Sequence, residues 1–301
     1  MTDELLAPTG RPEGGLANCL SDIDLSLPYW RDCRRLIQRL QQAGYRGPGL
    51  PPAHQLQKLL PDHALNQAGK ALTFVPSRLI PGARYEEHIF RSGEVSTREN
   101  NWHDLFNALV WARFPRLKSA MNALHCREIQ RHGALQRGFV RDALTLFDEC
   151  GVIVVSADTA ALERLARRDW DWVFHQAASQ WQHDIQVFVC GHALLEKFLV
   201  PYKSLTAHAV LLLMDSLAAQ EPRESLRRIL DLRLAEKLLA GGLLNSPADL
   251  SPLPLMGIPG WWPRAEQNEA FYSDRQVFRP PAEGFSAAPV LDLSGNHQEI
   301  P

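Results

Sequence analysis

The sequence lacks most of the features that assign a function directly. Among its 301 residues are five cysteines, an odd number, and no two of them have CxxC spacing. It therefore predicts neither a disulfide framework nor a thiolate zinc site. It contains no G-x-S-x-G element, P-loop or protein-kinase signature, and no glycine-rich dinucleotide fingerprint. Hydrolases with a nucleophile elbow, P-loop enzymes and kinases are not indicated.

Long hydrophobic runs are also missing. The longest purely apolar stretch is six residues, Ala209 to Met214, whereas a helix that spans a bilayer needs about 20. The first residues, "MTDELLAPTGRPEGG", are acidic and have no apolar segment of the kind found in signal peptides. We therefore expect a cytoplasmic protein that has no membrane partner.

A strong net charge is absent too. The formal net charge is -2 at pH 7, so no overall basic surface indicates nucleic-acid binding. Apolar residues make up 45% and charged residues 22%, which is typical of a globular chain. From composition we predict a disordered N-terminal segment at 1–22, a single globular domain at 23–281 and a disordered tail at 282–301.

The hydrophobic patterning predicts a helix-dominated mixed α/β fold. Helical hairpins are expected to pack with a small sheet that includes a parallel βαβ pair. "GVIVV" and "DIQVFVC" are predicted to be that pair, because helical patterns at 160–168 and 170–180 separate them. Further expectations are a strand at "ALTFVP", a β-hairpin in "RYEEHIFRSGEVSTR" and a helix in "TAHAVLLLMDSLAA".

Polar residues stand at unusual positions in a predicted helical hairpin, 101–132, which turns at Pro115. His103 and Asn107 share a face of the first helix, and Asn122 and His125 share a face of the second. Counted outward from Pro115, the two pairs lie at matching levels, so four polar groups can converge. Such a patch is either part of a functional site or a satisfied polar network that fastens the helices.

The helix "RDALTLFDECG" supplies a group of carboxylates. Asp142, Thr145 and Glu149 fall on one face, with Asp148 adjacent. Neighbouring carboxylates can hold a hard cation or divide acid and base roles. Alternatively, they are a solvated pair at a helix C-terminus, where the helix dipole calls for a compensating cation such as Arg141.

A third candidate lies in "VFVCGHALLEK". His192 stands where a predicted strand hands over to a helix, and Glu196 follows one turn later on the same face. This pair can ligate a metal or act as an oriented general base. It can also be a helix cap with a salt bridge, and it does not form the HExxH zinc signature.

Two weaker features complete the set. Arg98, with Arg116 and Lys118, can bind an anion, although such residues usually form a solvated face. Trp261 and Tyr272 belong to an aromatic loop that is either a lid over a pocket or a loop packed on the core.

These strings together carry a family likeness. "GEVSTRENNWHDLFNALVWARFPRLKSAMNALH", "RDALTLFDECG", "GHALLEK" and "GIPGWW" resemble the bacterial family catalogued as domain of unknown function 3025. The resemblance covers roughly Leu79 to Pro281. It implies one intact domain, and it transfers no activity and no catalytic residue.

Three functions fit the sequence. The first is a metal-dependent hydrolase, with a phosphoester as its small-molecule substrate and a divalent Mn, Fe, Zn or Mg ion as cofactor. The second is a non-catalytic binding or interaction protein whose polar seam is structural. The third is a metal-free acid/base enzyme that uses His192 and Glu149. For the first, the assigned catalytic residues are Glu149, His192 and Glu196, the metal ligands are His103, Asp104, His125 and Asp148, and the other pocket residues are Asn107, Asn122, Arg98, Trp261 and Tyr272.

Overall fold

The computed structural model describes residues 19–42, 49–77, 82–215 and 221–294. Helices in these ranges are α1 (Arg34–Gln42), α2 (Ala53–Leu56), α3 (Gly82–Ser92), α4 (Trp102–Arg113), α5 (Pro115–His132), α6 (Phe139–Cys150), α7 (Thr159–Ala166), α8 (His192–Lys197), α9 (Arg223–Leu239) and α10 (Glu269–Tyr272). Strands are β1 (Thr73–Pro76), β2 (Glu94–Thr97), β3 (Gly151–Ser156), β4 (Ile185–Val189), β5 (Thr206–Leu213), β6 (Ser251–Pro254) and β7 (Val290–Asp292). With 48% helix and 15% strand, the predicted helix-dominated α/β fold is confirmed.

A small two-stranded sheet is formed by β1 and β2. The strands are parallel and α3 connects them, so the fold does contain a parallel βαβ unit. The predicted hairpin at these residues is wrong, because Gly93 ends a helix instead of turning between strands. Its N–H donates to the carbonyl of Ile89 at 2.8 Å, and its φ of +78° is typical of a glycine helix cap.

The larger sheet has the order β4-β3-β5-β6, and β7 also pairs with β5. β3 is parallel to β5 and antiparallel to β4, and every residue of β3 is buried. β6 and β7 pair with successive halves of β5, the first antiparallel and the second parallel. The β-branched run of β3 thus forms the centre of the core.

The prediction that "GVIVV" and "DIQVFVC" form a parallel pair is wrong. Ser156, which ends β3, pairs with Ile185, which begins β4, so the strands are antiparallel. The connection between them contains α7, a π-helical segment at Trp172–Gln176 and a 3₁₀ turn at Gln180–Gln182, and Arg168 lies between the first two in the left-handed region at φ +58°. A single crossover would return the chain to the start of β3 and give a parallel strand, whereas here the chain comes back to the end of β3 and β4 begins beside Ser156.

The prediction of a helix in "TAHAVLLLMDSLAA" is also wrong, because its described part contains β5. Residues from Ala209 to Leu212 are all buried, so the run shows neither the period of a half-exposed helix nor that of a half-exposed strand. A short apolar run of this kind does not distinguish the two by periodicity. Residues 216–219 of the prediction lie outside the described ranges.

The helical hairpin is confirmed as α4 and α5, joined at Phe114. Asp231 of α9 accepts hydrogen bonds from the backbone N–H groups of Arg116 (3.3 Å) and Leu117 (2.9 Å). These N–H groups have no partner within α5, because they belong to its first turn. A carboxylate from another helix therefore fixes the start of the helix that carries much of the site.

Both predicted termini contain residues with defined structure. Cys19 pairs with Gly49 in an isolated parallel bridge, and a 3₁₀ turn follows at Leu20–Asp22. Strand β7 lies within the segment 282–301, for which the sequence predicts a tail. Residues 1–18 and 295–301 of these two predictions lie outside the described ranges. Within those ranges, no helix combines the length and apolarity that a membrane crossing requires.

Candidate metal centre

The first part of the site comes from the start of α4. Asn101 caps this helix by accepting a hydrogen bond from the N–H of Asp104 at 3.0 Å. His103 therefore stands in the first turn, where α4 packs against α8. Its side chain is about one-third exposed, so the imidazole is held by packing but faces an opening.

The second part comes from the contact between the end of α6 and the start of α8. Gly191 lies so close to α6 that a Cβ there would be 2.4 Å from the nitrogen of Gly151 and 2.6 Å from the carbonyl oxygen of Glu149. Only glycine permits this approach without a shift of the backbone. As a result, His192, the first residue of α8, lies beside Glu149 near the end of α6.

The three side chains His103, Glu149 and His192 meet at one point. One ligand atom of each lies within 4.8 Å of the other two. The Nε2 atoms of the histidines are 2.9 Å apart, and Nε2 of His192 is 3.6 Å from Oε2 of Glu149. Tetrahedral zinc, with Zn–N bonds of about 2.0–2.1 Å, separates two nitrogens by about 3.3 Å. The two imidazoles and one carboxylate therefore fit a divalent transition metal, and the three motifs share one site.

Each imidazole has a carboxylate behind it. Nδ1 of His103 lies 3.1 Å from Oε2 of Glu196, and Nδ1 of His192 lies 3.7 Å from Oδ2 of Asp148. Histidine ligands of metals usually donate their second N–H to such a group, which fixes the tautomer and leaves Nε2 free to bind the ion. Nδ1 of His192 is buried and has no hydrogen bond among the described residues, so a small movement toward Asp148 would complete this arrangement.

A buried lysine anchors Asp148. Nζ of Lys118 donates to Oδ1 of Asp148 at 2.5 Å and to Oδ1 of Asn107 at 3.0 Å, and it lies 5.3 Å from the ring of Trp111. Lys118 is buried. A buried ammonium group requires such partners, because they replace the hydrogen bonds that it would make with water. The Lys118 side chain thus links α4, α5 and α6 directly behind the candidate metal centre.

Burial and neighbouring charges set the protonation of the centre. Burial lowers the pKa of His192 to about 4, an effect that the Lys118 and His103 side chains reinforce and the Asp148 carboxylate opposes. Burial also raises the pKa of Asp148, but the positive Lys118 group, which also donates a hydrogen bond to the carboxylate, outweighs it and lowers that pKa overall. A neutral imidazole is the form that binds a metal.

The pKa of Glu149 is shifted in the opposite direction, upward. Burial raises its pKa, and the nearby Asp148 carboxylate raises it further. A bound cation would counteract both effects by stabilising the ionised carboxylate. The Glu149 side chain is still 41% exposed, so it borders the opening of the site.

The three groups lie at one wall of a cavity of about 490 Å³. This cavity also contains His125, Asn107 and Asn122, so all four polar residues predicted on the α4–α5 hairpin border the same space. His125 is not part of the three-residue group. Nδ2 of Asn122 donates to both the backbone carbonyl (2.9 Å) and the carboxylate (2.6 Å) of Glu86.

Other residues predicted for the site have different environments. Asp104 accepts two side-chain hydrogen bonds from Arg98, at 2.7 and 3.0 Å, so this cavity-lining carboxylate is already paired. Trp261 lines a second cavity, where its ring packs near those of Tyr29 and Phe198. The hydroxyl of Tyr272 donates to the carbonyl of Gly257 at 3.1 Å, within an aromatic cluster. The structure does not bring Trp261 and Tyr272 to the candidate metal centre.

Several lining residues have no place in the sequence-based site. Tyr85, Glu86, Arg137 and Arg141 all border the cavity. Tyr85 and Glu86 belong to α3, where the sequence predicts a hairpin. The alternating pattern of a strand places neighbouring residues on opposite faces, so it did not indicate that these two residues border one cavity. The spacing of Arg141, Thr145 and Asp148 on one helical face was a usable signal for Arg141.

Comparison with known proteins places the chain in a family. The family model described as "Protein of unknown function (DUF3025)" matches residues 72–282. The chain belongs to this family. No curated protein and no solved structure matches it. The matched region includes α3 to α10 and therefore every residue of the candidate metal centre.

Proposed function

We propose that this DUF3025 protein is a metal-dependent hydrolase that acts on a phosphoester in the cytoplasm. The observation that carries the proposal is the His103–Glu149–His192 group, in which each imidazole is backed by a carboxylate. Two imidazoles and one carboxylate are a donor set used by zinc hydrolases, and they leave coordination positions open for water and substrate. The same donors also accept divalent iron or manganese.

The chemistry would follow from the bound ion and the cavity. A divalent ion at this site would lower the pKa of a bound water and supply hydroxide near neutral pH. His103 and His192 would hold the ion through Nε2, and Glu149 would complete the set from the open side. Asp148 and Glu196 would orient the imidazoles, so these two residues are positioning residues.

The lining of the cavity supports an anionic substrate. Arg98, Lys118, Arg137 and Arg141 border it together with the three histidines. Arg98 and Lys118 are bound to carboxylates, whereas Arg137 and Arg141 make no ion pair within the described ranges. Cationic groups without carboxylate partners favour the binding of a phosphoester.

The experiment measures metal binding and hydrolysis in the same protein. Purified protein is stripped with a chelator, and zinc, manganese or iron(II) is titrated back. Turnover of p-nitrophenyl phosphate and bis-p-nitrophenyl phosphate is then recorded with each ion. We expect stoichiometric binding of one ion and turnover that depends on it.

Variants connect the activity to the group. His103→Ala, His192→Ala and Glu149→Gln should each remove metal binding and turnover, whereas His132→Ala, an exposed histidine at the end of α5, should not. His125→Ala should keep metal binding, because this residue lies in the cavity but outside the group. A wild-type protein that binds no divalent ion contradicts the proposal.

A second candidate is acid/base catalysis without a metal. The observation in its favour is that Glu149 and His192 have pKa values shifted in opposite directions, as in pairs that divide acid and base roles. Turnover that survives chelation but is lost in Glu149→Gln would favour this candidate over the first.

A further inference from the structure

The cavity extends well beyond the metal centre. Lys118, Asn122, His125 and Ile129 all line it, and they follow one face of α5 at steps of three and four residues. Eleven residues separate the first from the last, which corresponds to about 16 Å along the helix axis. The cavity is therefore elongated, and the metal centre is at one of its ends, beside Lys118 and Asp148.

Helix α6 lines the same cavity in the opposite direction. Lys118 of α5 binds Asp148 near the end of α6, while residues 133–138 join the other ends of the two helices. Arg141, Thr145 and Asp148 share one face of α6 and all border the cavity. Arg141 lies seven residues before Asp148, about 10 Å along the axis. Its side chain also points toward the start of the helix, away from the metal.

Arg141 is held rigidly at this distal end. Its NH1 group donates to the backbone carbonyls of Ala134 at 3.1 Å and Gln136 at 2.9 Å. The residue is only 9% exposed, and its Nε is buried without a hydrogen-bond partner in the part of the chain that the structure describes. The guanidinium group is thus oriented by the loop that joins α5 and α6, and no described carboxylate neutralises it.

Arg137 brings a second cation to the same end. It belongs to the joining loop, it is exposed, and it borders the cavity without an ion pair to any described residue. The carboxylate of Glu86 also borders the cavity, but it is bound by Asn122. Met121 and Ile129 supply apolar surface on α5. The cavity therefore has a metal-binding end and a cationic end, with apolar side chains along its wall.

We propose that Arg137 and Arg141 bind an oxyanion of the substrate, a phosphate or a carboxylate that lies more than about 10 Å from the bond that reacts at the metal centre. This inference rests on the proposed function, since it describes the substrate of the same site. Arginine is suited to the role because its planar fork binds both oxyanions through two parallel hydrogen bonds. The substrate is thus an extended molecule that has a second anionic group.

The experiment tests the distal subsite without any metal. The chelator-treated full chain is titrated with inorganic phosphate by calorimetry, and with acetate at the same ionic strength as a carboxylate probe. We expect phosphate or acetate to bind wild type, and the stronger of the two identifies the oxyanion. Arg137→Ala and Arg141→Lys should each weaken that binding by about tenfold or more, the loss of about one charge-assisted hydrogen bond.

Two controls locate the bound anion. Arg131→Ala removes an exposed arginine of α5 that pairs with Glu128 at 3.4 Å, and it should leave the affinity for phosphate unchanged. His192→Ala should also retain the binding, because the metal centre is at the other end of the cavity. Arg141→Lys keeps the charge, and Arg137→Ala changes an exposed loop residue, so a loss of folding cannot account for both variants.

Failure of this inference differs from failure of the proposed function. Wild type that binds neither anion at millimolar concentration, or an affinity that falls equally in Arg131→Ala, overturns the distal subsite while metal binding still stands. Wild type that binds phosphate through Arg137 and Arg141 but takes up no metal overturns the proposed hydrolase, and the anion site remains.

Discussion

The Nε2 atoms of His103 and His192 face each other at 2.9 Å, although the two residues are 89 positions apart in the chain. The rings are nearly perpendicular, with an interplanar angle of 80°. Two imidazoles in this arrangement either share one hydrogen or bind one ion between them. The consequences of this arrangement can be tested on the metal-free protein and on the metal complex.

His192 should make the metal-free protein less stable in acid. Its pKa of about 4 in the folded state is below the ordinary value of 6.5, so the unfolded chain binds the proton more readily. The stability that neutral His192 contributes is present above about pH 6.5 and is lost as the pH falls toward 4. Between these limits wild type should lose about 3 kcal/mol relative to His192→Gln, measured by urea unfolding. His132→Gln, a change at an exposed histidine, should lose the same stability between these pH values as wild type. If the free energy of unfolding has the same pH dependence in all three proteins, the prediction is refuted.

Glu196 should strengthen metal binding without touching the ion. Its carboxylate accepts from Nδ1 of His103, and a residue in this position typically changes metal affinity by about 10- to 100-fold. We expect that loss in Glu196→Gln, measured by competition with a chromophoric chelator. The melting temperature of the metal-free protein should not change, because the side chain is 43% exposed. Glu163→Gln, an exposed change on α7, should bind metal like wild type.

Lys118 and Asp148 should show strong thermodynamic coupling. Lys118→Met leaves the Asp148 carboxylate without its cation and should lower the free energy of unfolding by about 3 kcal/mol. Asp148→Asn should also lower the free energy of unfolding, because it leaves the Lys118 ammonium group without its carboxylate. The double variant should lose less than the sum of the two single losses, because it leaves no buried charge unpaired. Additive losses in urea denaturation would contradict a direct interaction.

Gly191→Ala should affect both stability and the metal centre. The added methyl would overlap the backbone of Glu149 and Gly151, which belong to a helix end and a buried strand. We expect a loss of about 1–3 kcal/mol in unfolding free energy and weaker metal binding, since α8 and His192 must move away from Glu149. Gly242→Ala is the matched control, because its methyl would meet only the flexible Lys237 side chain. Metal affinity equal to wild type in Gly191→Ala would show that this contact does not position His192.

Local patterns predicted the helical parts of the site well. The α4–α5 hairpin follows from apolar spacing on both sides of Pro115, and α6 ends beside Gly151 as its sequence indicates. Both features depend on interactions within a few residues, which the sequence displays directly. The same spacing placed His103 and Asn107 on one face of α4.

The pairing of strands that are far apart in the chain was harder to predict from the sequence. The helical segments between β3 and β4 were predicted, but the direction of β4 depends on which end of β3 the chain returns to, and β5 is a strand that lies between β3 and β6. Neither property is encoded by residues close in the chain. Helix α3 was missed because its apolar positions also fit an alternating pattern over a short stretch.

The sequence by itself determined which polar residues stand at helix starts, helix ends and strand ends: His103, Glu149 and His192 are conspicuous there without any coordinates. Only the tertiary structure decided their partners. Gly191 against the end of α6, and α4 against α8, bring the three side chains together. The structure also separates groups that look equivalent in the sequence, since Asp104 is paired with Arg98 while Glu149 faces the histidines. The physical reason is that ligation requires atoms from distant segments within a few ångströms of one another, and the packing of elements sets those distances.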